Sequence, residues 1–193
     1  MAKIMLVLGH PQRQNTFCEA LSDAYAEGAR AAGHEVSLFV LAGMDFDPIL
    51  REGYHQEQPL EPDLKKAYAA LVACDHVVMV FPLWCGDMPA LLKGFIERLL
   101  QPDLVRRWNT VNAMDWHIFE NKTARIVMTM MMPVSIYRWW YGGHALKLLK
   151  RNILQFIGIA PVRHTLYGMV STSKPEQRDR WLAEMRELGG KAA

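Results

Sequence analysis

Cysteine is too scarce and too scattered in this chain to build a disulfide framework. Cys18, Cys74 and Cys85 are odd in number, widely separated and form no C-x-x-C pair, a usage that fits a reducing compartment. Long hydrophobic runs are lacking too. The opening run, Ile4 to Leu8, is too short for a signal peptide or a membrane span and leads straight into the fold, so a cytoplasmic protein is expected. Net charge is small, +2, and no clustered Lys/Arg stripe with interleaved aromatics occurs, which argues against nucleic acid as a partner and leaves a basic face only as the weaker alternative. Glycine is missing where two common phosphate loops need it: after Gly9 the loop GHPQRQNT holds neither G-x-G-x-x-G nor G-x-x-x-x-G-K-[ST]. The first strand closes in Gly9-His10, without the acidic residues that a receiver domain carries there. Repeats, low-complexity tracts and linkers are also absent, so the 193 residues are read as one domain, 1–193.

What is present is organised around Asp75 to Leu100, DHVVMVFPLWCGDMPALLKGFIERLL. His76 to Phe81 is almost wholly β-branched or large and apolar, the pattern of a strand buried on both faces. Pro82 cannot donate a ladder hydrogen bond and ends it. Pro89 suits the first turn of a helix in which Leu91, Leu92, Phe95, Ile96, Leu99 and Leu100 recur at helical spacing, with Lys93, Glu97 and Arg98 expected to point away. The loop between the prolines, Leu83 to Met88, falls at the carboxyl end of a central strand, where open α/β sheets bind ligands. It either presents a flat apolar surface to a planar heterocycle or plugs the top of the core with Leu83, Trp84 and Met88.

Around this stretch, strands and helices alternate. Lys3 to Gly9 reads as a buried strand and Phe17 to Ala32 as an amphipathic helix with Leu21, Ala24, Tyr25 and Ala29 inward. Thr16, with Glu19 three residues on, matches a capping box. His10, Arg13, Asn15 and Thr16 can reach an anion at this helix N-terminus; alternatively Thr16 only caps the helix and Arg13 is solvated. Glu35 to Leu41 reads as an outer strand, 42–62 as an irregular excursion and Asp63 to Cys74 as a second helix. Gln101 to Asn121 carries Trp108, Trp116, His117 and Phe119 without a clear period, and reads as a pocket wall, an interface or an ordinary surface loop. Arg125 to Met130 is a fourth strand. A fourth helix starts near Gly143, with Ala145, Leu148, Leu149, Asn152, Ile153 and Phe156 at helical spacing. Pro161 to Tyr167 is a fifth strand, and Pro175 to Leu188 a terminal helix closed by Gly189-Gly190. The alternation predicts an α/β fold, a doubly wound five-stranded parallel sheet of order 2-1-3-4-5 with helices on both faces. Its switch point is then flanked by loops 10–16 and 82–88. One suits a phosphate and the other a flat ring, the two parts of a flavin nucleotide.

Together these segments resemble the flavodoxin-like NAD(P)H:quinone oxidoreductases, a family that includes the quinone-reducing ancillary subunits of bacterial potassium-efflux systems. FPLWCGDMPALLKGFIERLL is similar to that family's Phe-Pro-Leu, aromatic pair, Pro-Ala, Leu-Lys-Gly and acidic-Arg stretch, and GHPQRQNTF to its His-Pro start followed by Ser/Thr-Phe; GHEV before the second strand also fits. The resemblance implies that His10, Thr16 and Phe17 contact the phosphate of a flavin, FMN or FAD, and that Pro82, Leu83, Trp84 and Cys85 cradle its isoalloxazine. It implies a further ring contact at Thr129 and Met130, where the family's Thr-Thr-Gly-Gly loop is replaced by Thr129-Met130-Met131-Met132-Pro133. Tyr137 lies at the spacing of the family Tyr, and His144 at that of the family His after a small insertion.

The implied chemistry is two-electron transfer from NAD(P)H through the flavin to a quinone, or to a nitro or azo compound, in ping-pong order. Tyr137 and His144 would donate to the anion as it forms. Read from the residues alone, Tyr137 with Trp139-Trp140 also fits a core or interface cluster, and His144 a helix-start residue. Cys85 reads as a packing residue, with no nearby His to activate it, and Met130 to Met132 as adaptable pocket lining. A homodimer and docking to a membrane transporter are implied as well. The alternative function is a flavin-binding regulatory subunit or electron carrier. Carriers are usually acidic, whereas this chain has a pI near 8.4.

Overall fold

The computed structural model describes residues 1–12, 14–101 and 118–193, so Arg13, Trp108, Trp116 and His117 lie outside the described residues. Five strands, β1 (Lys3–Leu8), β2 (Glu35–Val40), β3 (His76–Pro82), β4 (Thr123–Thr129) and β5 (Val162–Tyr167), pair in parallel in the order β2-β1-β3-β4-β5, as the alternation predicts. β3 is buried along its whole length because both faces of the sheet are covered, which is why its sequence is continuously apolar. β2, at the edge, is mostly half-buried. Helices α1 (Phe17–Ala31) and α5 (Pro175–Gly190) pack on one face with Leu6, Val78 and Val80; α2 (Pro62–Ala73), α3 (Ala90–Leu99) and α4 (His144–Lys147) cover the other with Met5, Val77 and Ile126.

A local rule sets the start of α1. Thr16 Oγ1 accepts from the Glu19 N–H at 3.1 Å while the Thr16 N–H donates to Glu19 Oε2 at 3.4 Å, closing the expected capping box. Three expectations need correction. The terminal helix does not stop at Leu188. It runs to Gly190, because Gly189 serves a close helix crossing rather than a cap: a Cβ at Gly189 would stand 2.1 Å from the Tyr25 carbonyl oxygen, and one at Gly28 1.9 Å from that of Arg186.

Arg98 does not point to solvent. It is wholly buried and donates to Glu61 Oε2 at 2.8 Å and Oε1 at 3.1 Å, to the Pro59 carbonyl at 2.8 Å and to the Asp47 carbonyl. One guanidinium thereby ties the irregular 42–62 excursion to α3. Burial alone would raise the Glu61 pKa, but the hydrogen bonds from Arg98 and the Asp47 N–H hold it below the usual carboxylate range.

The fourth helix is regular only over its first turn. From Leu148 to Leu154 it widens to π geometry, with Gln155 N–H bonded to Lys150 O at 3.0 Å. The wider turn brings Leu149 and Leu154, five residues apart, to the same core, while Asn152 and Phe156 are exposed. A second π turn spans Ile136–Trp140.

Candidate functional site

The site begins where β1 ends. Gly9 N–H continues the ladder to Val80 O at 2.8 Å, and α3 crosses so close that a Cβ at Gly9 would lie 2.8 Å from Leu92 Cδ2. Beyond it His10 Nδ1 accepts from the Gln12 N–H at 3.0 Å, which leaves Nε2 to carry the hydrogen of a neutral ring. Burial lowers the His10 pKa and favours that neutral form. The loop then reaches α1 through Asn15 at φ 62°, a left-handed conformation that Asn tolerates. Helix geometry leaves the first-turn N–H groups of Phe17 and Cys18 without intrahelical acceptors.

The second loop follows β3. Leu83 N–H bonds to Thr129 O at 2.8 Å, and Trp84 and Asp87 exchange two backbone hydrogen bonds of 2.9 Å. Cys85 at φ 49° and Gly86 at φ 82° complete a tight turn with both central residues left-handed. This turn holds the Trp84 backbone and leaves its indole 46% exposed, meeting His10 edge-on with ring centroids 5.4 Å apart at 76°. The two loops picked out by sequence therefore touch. Met88, in contrast, is buried and does plug the core.

Between them opens a cleft of about 330 Å³. His10, Asn15, Thr16 and Phe17 line one side, and Pro82, Leu83 and Trp84 the other. Thr129 and Met130 close the third, with Thr129 Oγ1 3.2 Å from Cys18 Sγ. Burial pushes the Cys18 thiol up to about 11, so it stays protonated beside the Thr129 hydroxyl. The cleft also takes in Met131, part of the expected pocket lining, and Gln12, Cys18, Val170 and Ser171, which were not anticipated from sequence. Val170 and Ser171 follow β5, and the rule that ligands sit beyond carboxyl strand ends was the only available pointer to them.

Cys85 sits exposed at the tip of its turn and does not line the cleft. Neither do Tyr137 and His144. Tyr137 is buried, its hydroxyl oxygen accepting from the Leu146 N–H at 3.0 Å, and His144 is exposed. A larger groove, about 470 Å³, lies between α3 and the Leu148–Leu154 segment; it is lined mainly by Ile96, Leu100, Leu148 and Ile153, with Lys93, Glu97 and Asn152 beside them.

Among the described residues the cleft-lining side chains are uncharged, one end is a helix N-terminus and the other an exposed indole. That donor set suits an anion joined to a flat ring. The rat protein named NAD(P)H dehydrogenase [quinone] 1 is 26% identical over 91% of this chain and 72% of its own length. Two solved structures share the fold: an NAD(P)H:quinone oxidoreductase from Methanothermobacter marburgensis, with TM-score 0.80 and 21% identity over 97% of this chain and 94% of that one, and an FMN-dependent NADH-azoreductase from Bacillus anthracis in complex with FMN, with TM-score 0.70 and 15% identity over 100% of both. The family profile described as flavodoxin-like fold matches residues 2–188, and with the strand order and the two cleft loops in place, the chain belongs to that family.

Proposed function

We propose that the chain, as one flavodoxin-like domain, is a flavin-dependent NAD(P)H oxidoreductase that delivers two electrons to a quinone or a similar flat acceptor. One observation supports this above all: the phosphate-suited loop and the ring-suited loop share one cleft, joined by the His10–Trp84 contact. The relative named as a quinone dehydrogenase supports the same activity. A flavin bound in the cleft supplies the two-electron chemistry. The chain's part is to hold it. The N–H groups of Phe17 and Cys18 and the side chains of Asn15 and Thr16 face the phosphate, with Arg13 as a further cation; Pro82, Leu83 and Trp84 bear on one part of the ring, and Thr129 with Met130 on another.

Tyr137 and His144 are proposed as proton donors to the reduced acceptor. That role rests on the resemblance, since neither residue lines the cleft and the buried Tyr137 oxygen accepts from the Leu146 N–H. NAD(P)H and acceptor take turns in the cleft, a ping-pong order. A homodimer in the cytoplasm completes the proposal, in keeping with free cysteines of which Cys18 and Cys74 are buried. Neither the relatives nor the described residues support a transporter partner.

The test is the purified protein's visible spectrum, the mass of the molecule released on denaturation, and NADH or NADPH oxidation with a soluble quinone. Flavin absorbance with parallel double-reciprocal plots is the expected result. A chain that purifies colourless and gains no turnover with added FMN or FAD would overturn the reading.

A further inference from the structure

Between Glu120 and Glu176 the chain has no acidic residue and eight Lys or Arg, although its whole charge is only +2. The fold gathers part of that charge at the β5 edge of the sheet. Arg138, Lys147 and His164 line a hollow of about 400 Å³ together with Trp139, and Arg138 Nη2 lies 2.9 Å from His164 Nε2. Burial first, then Arg138 and Lys150, lowers the His164 pKa, so the ring is neutral and accepts from Arg138. Among the described residues no ion pair involves a side chain of this stretch. Beside the cations stand Trp139 and Trp140, 87% and 83% exposed, with Tyr141 and Ile136 also exposed. This turn follows β4, on the same rim as the cleft, whose Met131 is exposed too.

Exposed indoles among cations, with no acidic residue in the same stretch of chain, have the chemistry of the bilayer interface: Trp and Tyr sit at headgroup level, and Lys and Arg are drawn to anionic lipid. A second copy is a poorer match, since a two-fold contact centred here would set Arg138 and Lys147 against their own like charges. We propose that the Ile136–Tyr141 turn, with Arg138, Lys147 and Lys150, docks peripherally on an anionic lipid bilayer. Docked so, the cleft rim faces the phase in which apolar acceptors dissolve, whatever acceptor the cleft takes.

The test is flotation of the full chain, as purified, with phosphatidylcholine vesicles that do or do not contain phosphatidylglycerol, at low and high salt. Binding is expected only with phosphatidylglycerol and is expected to fade with salt. The double variants Trp139→Ala/Trp140→Ala and Lys147→Glu/Lys150→Glu are each expected to cut partitioning by on the order of tenfold or more. Should either variant fail to fold, quenching of wild-type tryptophan fluorescence by brominated lipid gives the same answer. Any of four results would overturn the proposal: no binding to anionic vesicles at low salt, equal binding by the charge-reversed variant, a wild-type dimer that the Trp139/Trp140 variant converts to monomer, or single-stranded RNA that displaces the vesicles from this face.

Discussion

Trp84 forms the flat wall of the cleft because its backbone is fixed and its ring is not needed in the core. Both of its main-chain polar groups bond to Asp87, and the indole leans edge-on against His10. Trp84→Ala is therefore predicted to weaken flavin binding by about 1–2 kcal/mol, roughly tenfold, with little change in melting temperature; equilibrium titration followed by flavin fluorescence checks both. Glu19 acts at the other end of the cleft. Its carboxylate accepts from the Thr16 N–H, beside the position proposed for the phosphate. Glu19→Gln keeps the capping contact and removes the charge, so FMN should bind more tightly at low salt while phosphate-free riboflavin is unaffected. Equal gains for both ligands would place the phosphate elsewhere. Cys85 occupies a left-handed position that favours Asn, and Cys85→Asn should raise stability by about 1 kcal/mol in urea unfolding.

At the scale of elements, the molecule depends on contacts that carry no periodic signature. Gly28 and Gly189 allow α1 and α5 to touch backbone to backbone, and a methyl at either overlaps a carbonyl oxygen. Gly28→Ala should destabilise by about 3 kcal/mol, measured by denaturant unfolding, despite the higher helix propensity of Ala. The Arg98–Glu61 pair is a second such contact. Glu61→Ala strands a buried guanidinium and is predicted to cost about 3 kcal/mol or more.

The Arg98–Glu61 pair also sets an acid limit. The Glu61 pKa is lowered by folding, so its contribution is complete above the ordinary value of 4.5 and is lost as pH falls through the lower folded one. Arg98 shows why sequence reading stops here. It shares the solvent-facing helical phase of Lys93 and Glu97, and only the excursion folding over α3 makes that position interior. The same holds for the π turns: a period of 3.6 was read through Leu148–Leu154, where an extra residue per turn turns Asn152 and Phe156 outward.

For the whole molecule, strand order and the meeting of the two cleft loops were legible because apolar runs, two prolines and a capping box mark strand and helix ends directly. Cleft residues contributed by the loop after β5 were not, since nothing in Val170-Ser171 differs from ordinary turn chemistry. A global pH response follows from the opposite end of the sheet. His76 is buried against Thr123 Oγ1 at 2.6 Å, and burial, with Arg125 and Arg163, lowers its pKa from 6.5 to about 4. The unfolded chain takes up this proton first, so stability should fall as pH drops from 6.5 towards 4 and then level off. The loss attributable to His76 is about 3 kcal/mol, and it should vanish in His76→Gln when urea midpoints are compared across that range.

The central claim is that one cleft holds both the ring and the phosphate of a flavin, and a crystal structure of the chain soaked with FMN tests it most directly. The ring is predicted to lie against Trp84, with its phosphate at the N–H groups of Phe17 and Cys18. Density for FMN in the larger groove between α3 and the Leu148–Leu154 segment, with the His10–Trp84 cleft empty, would contradict it.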